Sequence, residues 1–591
     1  MLPLTAIALS ASAATASDIP WVAPSGGNFQ IPQNWQGGQV PGATNQARFE
    51  LGSTYGVSLT APVQTSTLTL TNGRVTLNLQ GNAYTALTGP SALRVGSTSW
   101  PMPELTLKGG VMTVNGADIA TSAGFNGLLT IDGPSAKLSS TWGSMLLVGR
   151  FGNGQVMIRN GGELAAGLHT HIGYATGGTG HLTVTGNGSK WTAGGDLYCG
   201  YLGHGTAIIT AGGAATSQNV IIGGGVGGHG FFHVVGQGSS SSSVFKVSVG
   251  SATGSTGTLS IEQGGYIYSG IAAIGEFVNS AGGVVITGTN SWWHVHNGMN
   301  VGLYGYGELI VSEGGRLTSR FGRLGYAAGA SGYVRIDGLA SHWAAQDYIN
   351  VGTVAGTAAV MSVENGGKVT SPLITIGAGG SLSGEGTVEG YVFNHGLVQP
   401  GAIIDLTHND GGAGTLTISG TFEQSATGRL AVDLFSANPE DNARLVVNGH
   451  AVLDGTLEIN LRNGFIPSPG DEFRIVQGQG VFGSFHTIVQ PENIGGAFAY
   501  VGPCNAPNTF TLRFTPTSQG NKRGGAPMGP PPAASSWYAV GDLNEDCRVD
   551  VMDLLMLLLS WGPCPDCPAD LNYDGAVNVL DKLILLGNWG W

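Results

Sequence analysis

The sequence is short of charge, of basic residues in particular, and of long hydrophobic runs. Only 10% of its 591 residues are charged, and 23 Lys and Arg stand against 36 Asp and Glu, for a formal net charge of -13. Because nucleic-acid binding needs a basic surface, this balance argues against a DNA or RNA partner. No apolar run is long enough to cross a bilayer, so we expect no membrane span in the mature chain.

Glycine is what the sequence has in excess. Its 102 glycines follow no strict triplet, which excludes collagen, and an apolar content of 41% is enough to form a core. Glycine at this frequency interrupts regular elements and makes the chain turn often. The composition therefore predicts a β-rich chain of short strands rather than a disordered one.

Two alternating units recur between Gly127 and Gly377, with starts about 25 residues apart. One reads G-x-L-x-V-x-G-x-x-S-x-W and the other G-x-L-x-V-x-x-G-G, and each also holds a second apolar run that ends in glycine. The first unit begins at Gly127, Gly180, Gly230, Gly282 and Gly332, and the second at Gly154, Gly205, Gly257, Gly307 and Ala359. Units this short cannot bury their apolar side alone, whereas stacked units form one continuous core.

The alternation inside each run is that of a β-strand, with every second side chain on one face. The sequence thus predicts a mainly β protein built as a parallel β-helix, or solenoid, between capping β-regions. The inward positions include Leu182, Val184, Val249, Val301, Leu309 and Val311. The units resemble the repeat associated with type V secretion and PEP-CTERM proteins and with autotransporter passenger domains. That resemblance implies the same solenoid architecture.

Other segments frame the repeat. The chain begins with an apolar stretch that ends in small residues, which indicates a secretory signal peptide. The usual positive charges of a signal peptide are missing, and the alternative is a disordered tail. The predicted order is a signal peptide at 1–16, an N-terminal β cap at 17–101, the repeat β-helix at 102–380, a C-terminal passenger-like β region at 381–516, a Gly- and Pro-rich linker at 517–536, and a helical domain at 537–591. We expect the protein to be secreted or on the cell surface.

Two acidic loops precede the helical runs of the last domain. In each, oxygen-bearing side chains fall at loop positions 1, 3, 5, 9 and 12, and such a loop wraps one Ca²⁺ ion with the help of the position-7 carbonyl. The alternative is a pair of acidic turns that only cap the two helices. The predicted ligands of two Ca²⁺ ions are Asp542, Asn544, Asp546, Arg548 by its carbonyl, Asp550 and Asp553, and then Asp570, Asn572, Asp574, Ala576 by its carbonyl, Asn578 and Asp581.

This duplicated loop-and-helix pattern resembles a type I dockerin, an EF-hand-like module, over residues 537–591. The resemblance implies a small all-α domain, two halves related by a near twofold axis, and a cohesin-like protein partner. The sequence departs from the family at Cys547, which replaces the turn glycine of the first loop. It departs again at Val551-Met552 and Val579-Leu580, where family members present small polar contacts to cohesin. The last ligand of each loop is Asp, as in dockerins, rather than the Glu of a general EF-hand.

Cysteine is scarce, with five in the whole chain. In a secreted protein Cys504, Cys547, Cys564 and Cys567 suggest disulfides, with the pairing left open and zinc at the Cys-x-x-Cys as a minor alternative. Cys199 takes the place that valine fills in sister units, so we expect it in the core.

The repeat offers weaker candidates for a binding site. Three tryptophans share one place in their units and either stack on sugar rings or pack against a neighbouring turn: Trp191, Trp293 and Trp343. Two i, i+2 histidine pairs either bind a metal or are solvated: His169 with His171, and His294 with His296. The carboxylates of the repeat are scattered, and no acid–base set can be assembled from Asp132, Glu163, Glu262, Glu308, Glu313 and Asp337.

Two functional hypotheses follow. The favoured one is a secreted, non-catalytic β-solenoid scaffold or adhesin, attached to a protein partner by a calcium-binding dockerin-like module, with a polysaccharide as a second candidate partner. The alternative is a carbohydrate-active β-helix enzyme, a polysaccharide lyase or glycoside hydrolase, recruited to a complex by the same module. An enzyme is expected to cluster carboxylates on one face of the solenoid.

Overall fold

The computed structural model describes residues 17–99, 101–401, 403–405, 410–501, 508–516, 541–543, 549–564, 567–572 and 574–589. The predicted signal peptide and linker lie outside these residues. The chain is mainly β and contains a parallel solenoid of about 18 turns, which confirms the predicted β-helix and its repeat. It divides into two compact units, residues 1–403 and 404–591. None of the helices in the described ranges is long and apolar enough to cross a membrane.

Each turn of the first compact unit passes through three rows of strands. Each strand pairs in parallel with its equivalent one turn away. Strands that open the turns form the first row: Gly27–Asn28, Thr54–Ser58, Arg74–Asn78, Glu104–Lys108, Asn126–Asp132, Asn153–Arg159, Thr179–Thr185, His204–Thr210, His229–Val235, Thr256–Glu262, Ala281–Thr287, Tyr306–Ser312, Ser331–Asp337, Ala358–Glu364, Gly380–Gly384 and Leu397–Pro400.

The second and third rows belong to one sheet because, in later turns, a single bent strand supplies both. Separate second-row strands are Val63–Thr65, Ala83–Ala86, Gly110–Val114, Ala136–Ser140, Glu163–Ala166, Lys190–Ala193 and Trp292–Val295. Separate third-row strands are Asp18–Pro20, Gln46–Phe49, Thr67–Leu70, Leu93–Val95, Ala117–Ile119, Leu146–Val148, Thr170–Ile172, Leu197–Cys199 and Gly298–Val301. Strands that span both rows are Ala214–Ile222, Ser240–Val249, Tyr266–Ile274, Arg316–Leu324, His342–Val351, Lys368–Ile376 and Thr387–Asn394.

The core lies inside the turns, where the alternation predicts it. All six predicted inward residues are at most 1% exposed, and the register stacks equivalent residues on one another, such as Leu182 on Val156. Each turn thus buries apolar area against two neighbours, at about 25 cal/mol per Å². Cys199 is fully buried among them, as predicted, and burial raises the pKa of its thiol to about 12.

The glycine that ends most third-row runs has a positive φ and packs closely against the next turn, and both features require glycine. Gly200 has φ +71°, and a Cβ there would stand 1.9 Å from the carbonyl oxygen of His229 in the next turn. An L-residue is disfavoured at this φ, and no side chain fits at this distance. Gly200 therefore lets successive turns approach closely.

The serine of the G-x-L-x-V-x-G-x-x-S-x-W repeat forms a ladder of buried hydroxyl groups at the corner between the first and second rows. Its hydroxyl accepts a hydrogen bond from a glycine N–H of the preceding turn at 3.0 Å, because that N–H has no strand partner at the corner. The donor and acceptor pairs are Gly161 to Ser189, Gly212 to Ser239, Gly264 to Ser291, and Gly314 to Ser341.

The solenoid begins before the recognisable repeat. The segment predicted as an N-terminal cap supplies turns of the same sheets, starting with the parallel pair Asp18–Pro20 and Gln46–Phe49. Large rings are buried there beside aliphatic residues such as Leu68 and Leu77. Trp21 and Trp35 meet edge to face with centroids 4.9 Å apart, and both are buried.

The second unit continues with three rows of parallel pairs and then changes to antiparallel pairing. Its parallel strands are Gly414–Ile418, Phe422–Gln424, Arg429–Leu434, Ala443–Val447, His450–Leu453, Thr456–Leu461, Glu472–Gln477, Gly480–Gly483 and Thr487–Val489. Gly496–Val501 and Thr509–Pro516 pair antiparallel with each other, and the latter also pairs antiparallel with Glu472–Gln477. Ile403–Asp405 and Asp410–Gly411 form a separate two-stranded sheet.

Two nine-residue helices end the chain, α1 (Val551–Leu559) and α2 (Val579–Gly587), as the apolar runs predict. Between them, Gly562–Pro563 pairs antiparallel with Ala576–Val577. Helices this short are not stable alone in water. Their support comes from a small core and from the loops that precede them.

Candidate metal centre

The second acidic loop is described at all six predicted ligand positions, and its polar side chains form hydrogen bonds within the loop and to the start of α2. Asp570 is 4% exposed and Asp581 is fully buried. The Asp570 carboxylate accepts hydrogen bonds from the backbone N–H groups of Asp574 (3.2 Å) and Gly575 (2.7 Å). Gly575 has φ +88°, a left-handed backbone conformation that favours glycine at this turn of the loop.

Asp574 lies at the centre of the polar contacts of this loop. Its carboxylate accepts hydrogen bonds from the side-chain amides of Asn572 (2.9 Å) and Asn578 (3.3 Å) and from the backbone N–H of Ala576 (3.1 Å). The hydrogen bond from Asn572, followed by those from Ala576 and Asn578, holds the pKa of Asp574 below its ordinary value. The group is therefore ionised and available to a cation at neutral pH.

Both loops also cap the helices that they precede. Asp550 and Asn578 are the N-caps, and each accepts the N–H two residues ahead at 2.8 Å. The backbone N–H groups of the two N-caps in turn donate to the Asp553 and Asp581 carboxylates at 2.8 and 2.7 Å, which completes a capping box in each half. The sequence holds this signal as D-x-x-D and N-x-x-D, so capping and the predicted ligation draw on the same side chains.

The first loop is described only at Asp542, Asp550 and Asp553. Asp542 is mostly buried and Asp553 fully so, and Asp553 accepts the backbone N–H of Leu543 at 2.7 Å. Its remaining predicted ligands, Asn544, Asp546 and Arg548, lie outside the described residues, as does Cys547.

The second loop fits a hard cation by its charge. Asp570 and Asp581 are buried carboxylates, and no Lys or Arg in the described part of the chain forms an ion pair with either. A buried anion without a counter-charge is costly, and Ca²⁺ would supply that charge to oxygens of the preferred kind.

The oxygens do not yet surround one point. Within the described residues, no three or more His, Cys, Asp or Glu side chains are arranged as metal ligands. The physical reason is visible in the loop, where the carboxylates accept backbone N–H groups and the amides of Asn572 and Asn578 direct nitrogen toward Asp574. To ligate, both amides must present oxygen instead.

A five-residue core joins the two halves of the terminal region. Val549 and Val577 come from equivalent loop positions, Leu557 and Leu585 from equivalent helix positions, and Ala569 completes the set. Each helix thus buries one leucine in the centre.

A disulfide joins Cys564 to Cys567 beside this core. This disulfide gives the pairing of these two cysteines, which the sequence left open. It also excludes zinc binding there, because a disulfide sulfur is not a zinc ligand. Cys504 lies outside the described residues.

The tryptophans of the repeat are core residues and not a sugar platform. Trp191, Trp293 and Trp343 are at most 1% exposed. Trp293 donates its Nε1–H to Ser269, and Trp343 donates its own to Ser319, both at 3.0 Å. The packing alternative is confirmed.

In the first histidine pair His171 is enclosed, contrary to the solvated alternative, whereas His169 is partly exposed. His171 is 6% exposed and stacks on Tyr198 with ring centroids 4.6 Å apart. Burial, with a smaller contribution from His169, lowers the pKa of His171 to about 4. In the second pair, His294 contacts the Thr318 hydroxyl at 2.8 Å, whereas His296 is exposed.

The scattered carboxylates of the solenoid are held in polar pairs. Asp132 lies 3.2 Å from Arg159 and 3.3 Å from Lys108. Burial would raise the pKa of Asp132, but hydrogen bonds from Asn160 and Lys108 and the charge of Arg159 outweigh it and hold the pKa below its ordinary value. A general acid needs the opposite shift. Three more of these carboxylates have basic neighbours: Glu163 with Lys137, Asp337 with Arg335, and Glu262 with His233.

Sequence reasoning missed a group of aromatic residues on the outer face of the second row. Tyr266, Tyr268, Trp292 and His294 lie on two consecutive turns, beside the buried Trp293. Strand alternation alone could have placed Trp292 outside once Trp293 was placed inside.

Comparison with known proteins adds no relative, since neither a protein-family model nor a curated protein matches this chain.

Proposed function

We propose that this protein is a secreted, non-catalytic β-solenoid scaffold that a C-terminal, calcium-binding, dockerin-like module attaches to a protein partner. The solenoid supplies a long, regular surface. The module supplies two Ca²⁺ sites, one in each acidic loop, and the helices that meet the partner.

The observation that carries this proposal is the equivalence of the two acidic loops. Each ends in a buried Asp that closes a capping box, and each loop with its helix contributes one valine and one leucine to a shared core. The same side chains therefore cap the helices and gather negative charge in front of them. Capping alone needs neither Asp570 nor Asp574, whereas a calcium loop needs both.

Exposed apolar residues on both helices support a protein partner. Val551 and Val579 are 56% and 57% exposed, and the following Met552 and Leu580 are 53% and 52% exposed. Equivalent positions thus present equal apolar surface. Further exposed leucines follow along both helices: Leu555, Leu559, Leu583 and Leu586. Contiguous apolar surface of this kind marks protein interaction sites. It also matches the departure from the polar contacts of the dockerin family.

Ion pairing along the solenoid favours a scaffold over an enzyme. Several carboxylates of the solenoid are matched by basic residues on adjacent turns or in the same strand, as at Glu163 and Lys137, 2.8 Å apart. Such pairs hold both charges in place and stabilise the stacking of turns modestly.

Calorimetric titration of Ca²⁺ into the full chain tests the metal sites. We expect two equivalents to bind to the full chain and none to a chain that ends at residue 516. Helix-dependent circular dichroism should rise with the metal, because binding free energy appears as folding free energy. Equal heats from both chains would contradict the proposal.

The partner can be tested with purified type I cohesin domains. We expect a calcium-dependent complex that chelator dissolves and that Leu559→Asp weakens at least tenfold, because this substitution places a charge in the apolar contact. Ser560→Asp adds the same charge one residue away and is the matched control. Failure of every cohesin to bind in calcium would refute a cohesin-like partner.

A further inference from the structure

Strand register places aromatic and basic side chains in one outward row of the second-row sheet. Tyr266 pairs with Trp292, Trp292 with Arg316, Arg316 with His342, and His342 with Lys368, one residue on each of five successive turns. The chain has only 23 Lys and Arg in 591 residues. Two of them in this row, with a histidine between, form a local basic concentration on an acidic protein. We call these five residues the aromatic–basic row.

Tyr266 and Trp292 of the row, with Tyr268 and His294 two residues further along the same strands, form a cluster of four rings that we call the platform. Tyr266 and Trp292 have centroids 5.4 Å apart, Tyr268 stacks on His294 at 5.5 Å, and Trp292 meets His294 at 5.7 Å. Thr318 anchors this platform, because Trp292 donates Nε1–H to its hydroxyl at 3.1 Å and His294 contacts the same oxygen at 2.8 Å. Trp292 is nonetheless 37% exposed. The platform is thus fixed in orientation and open on its outer face.

The basic part of the row leaves one charge available. Lys368 forms an ion pair with Glu389 at 2.6 Å, and His342 bonds to Thr370 at 2.9 Å. Arg316 is exposed, and no ion pair or hydrogen bond joins its side chain to another residue within the described ranges. Its strand is the next one after that of Trp292, a spacing of about 4.8 Å. A guanidinium is the side chain that binds a carboxylate through two parallel hydrogen bonds.

We propose that the aromatic–basic row binds an acidic polysaccharide, with a uronate sugar ring stacked on the exposed Trp292 of the platform and its carboxylate on Arg316. Ring faces accept the apolar C–H side of a pyranose, and Thr318 and His294 offer polar contacts to hydroxyl groups. This inference goes beyond the proposed docking function and does not depend on the calcium sites.

Affinity electrophoresis and calorimetry of the full chain test it, with polygalacturonate and alginate as acidic probes and dextran as the neutral control. Chelator is present throughout, so that calcium bridging between the acidic loops and a polyuronate cannot contribute. We expect retention by at least one of the acidic probes and none by dextran. Retention should weaken as salt rises, because an ion pair contributes.

Substitutions assign the binding to the row. Trp292→Ala and Arg316→Gln should each weaken binding at least tenfold, whereas Trp292→Tyr, which keeps a ring, should retain most of it. Trp142→Ala removes a tryptophan that is 92% exposed, and Arg320→Gln changes an arginine of the same strand that pairs with Asp347, so both should bind as the parent does. Thermal unfolding of each variant must match the parent. Absence of binding to both polyuronates, equal binding to dextran, or undiminished binding by Trp292→Ala would overturn the proposal.

Discussion

At the scale of single residues, alternation decides which side chains form the core and which meet solvent. Trp292 and Trp293 are adjacent, yet one is exposed and the other is fully buried. Backbone conformation is also determined at single positions. The residue before the serine has positive φ in the four corners of the serine ladder, at Gly188, Gly238, Asn290 and Ala340. Two of these positions therefore carry a side chain where glycine is preferred.

Replacing Ala340 with glycine should stabilise the protein. Ala340 has φ +66° and is exposed, so its methyl group is strained and fills no cavity. Relief of left-handed strain, about 1–2 kcal/mol, exceeds the added entropy of the unfolded chain, about 0.4–1 kcal/mol. We expect a gain of about 0.5–1 kcal/mol in the free energy of unfolding, measured by denaturant titration. Ala344→Gly, in the strand that follows, should instead destabilise. A loss of stability in Ala340→Gly would show that the turn is not strained.

Protonation of His171 should lower the free energy of unfolding of the compact unit of residues 1–403 as pH falls from neutral. Its folded pKa of about 4 lies below the ordinary value of 6.5, so the unfolded chain binds a proton more readily. Its stabilising contribution is therefore complete above pH 6.5 and declines as pH falls toward 4. NMR titration of the imidazole should give the low pKa. His171→Phe, which keeps a ring against Tyr198, should show a smaller drop in melting temperature over this range than the parent, and an equal drop would contradict the assignment.

At the scale of elements, the sequence predicts strands well where the motif repeats and poorly where it does not. The G-x-L-x-V runs define inward positions because equivalent residues stack directly, as Leu182 stacks on Val156. The first turns lack the full motif, although they too bury alternating residues such as Leu68 and Leu70, and they add bulky rings such as Trp21 to the interior. The second acidic loop was predictable from oxygen spacing, and its capping box from N-x-x-D. The aromatic–basic row was not predictable, because it depends on the register between turns and no single strand contains it.

Corner serines should matter for stability more than their size suggests. Ser189 is buried, accepts the Gly161 N–H at 3.0 Å, and donates to the Thr185 carbonyl at 2.7 Å. Ser189→Ala leaves a buried N–H without an acceptor, so we expect a loss of about 1–3 kcal/mol in the free energy of unfolding. Denaturant titration measures it. Ser242→Ala, at an outward strand position, is the matched control and should change stability little; a similar effect from both would argue against the ladder.

At the scale of the whole molecule, two kinds of stability are joined in one chain. Each solenoid turn contacts only its neighbours, so its stability is nearly a sum of adjacent interfaces and requires no ligand. The terminal helices bury one leucine each and depend on acidic loops whose carboxylates repel each other without a cation. Calcium is therefore expected to act on the end of the chain and leave the solenoid intact.

Chelation of calcium should thus remove helical signal from the full chain while its β signal persists. Circular dichroism of the full chain, recorded before and after addition of chelator, measures both signals. The chain that ends at residue 516 is the control, and its spectrum should not change. A loss of β signal that accompanies the helical loss would show that the solenoid also depends on the metal.

The two acidic loops should differ in their affinity for calcium. Gly575 takes the left-handed turn of the second loop at φ +88°, whereas Cys547 occupies the corresponding place in the first, so we expect the second loop to bind Ca²⁺ more tightly. Asp574→Ala should leave one weak site and Asp546→Ala one tight site, and calorimetry of the two variants separates the loops. Asp471→Ala, in the β region before the linker, removes the same charge away from both loops and should leave two sites. Equal residual affinities in Asp574→Ala and Asp546→Ala would contradict the assigned role of Gly575.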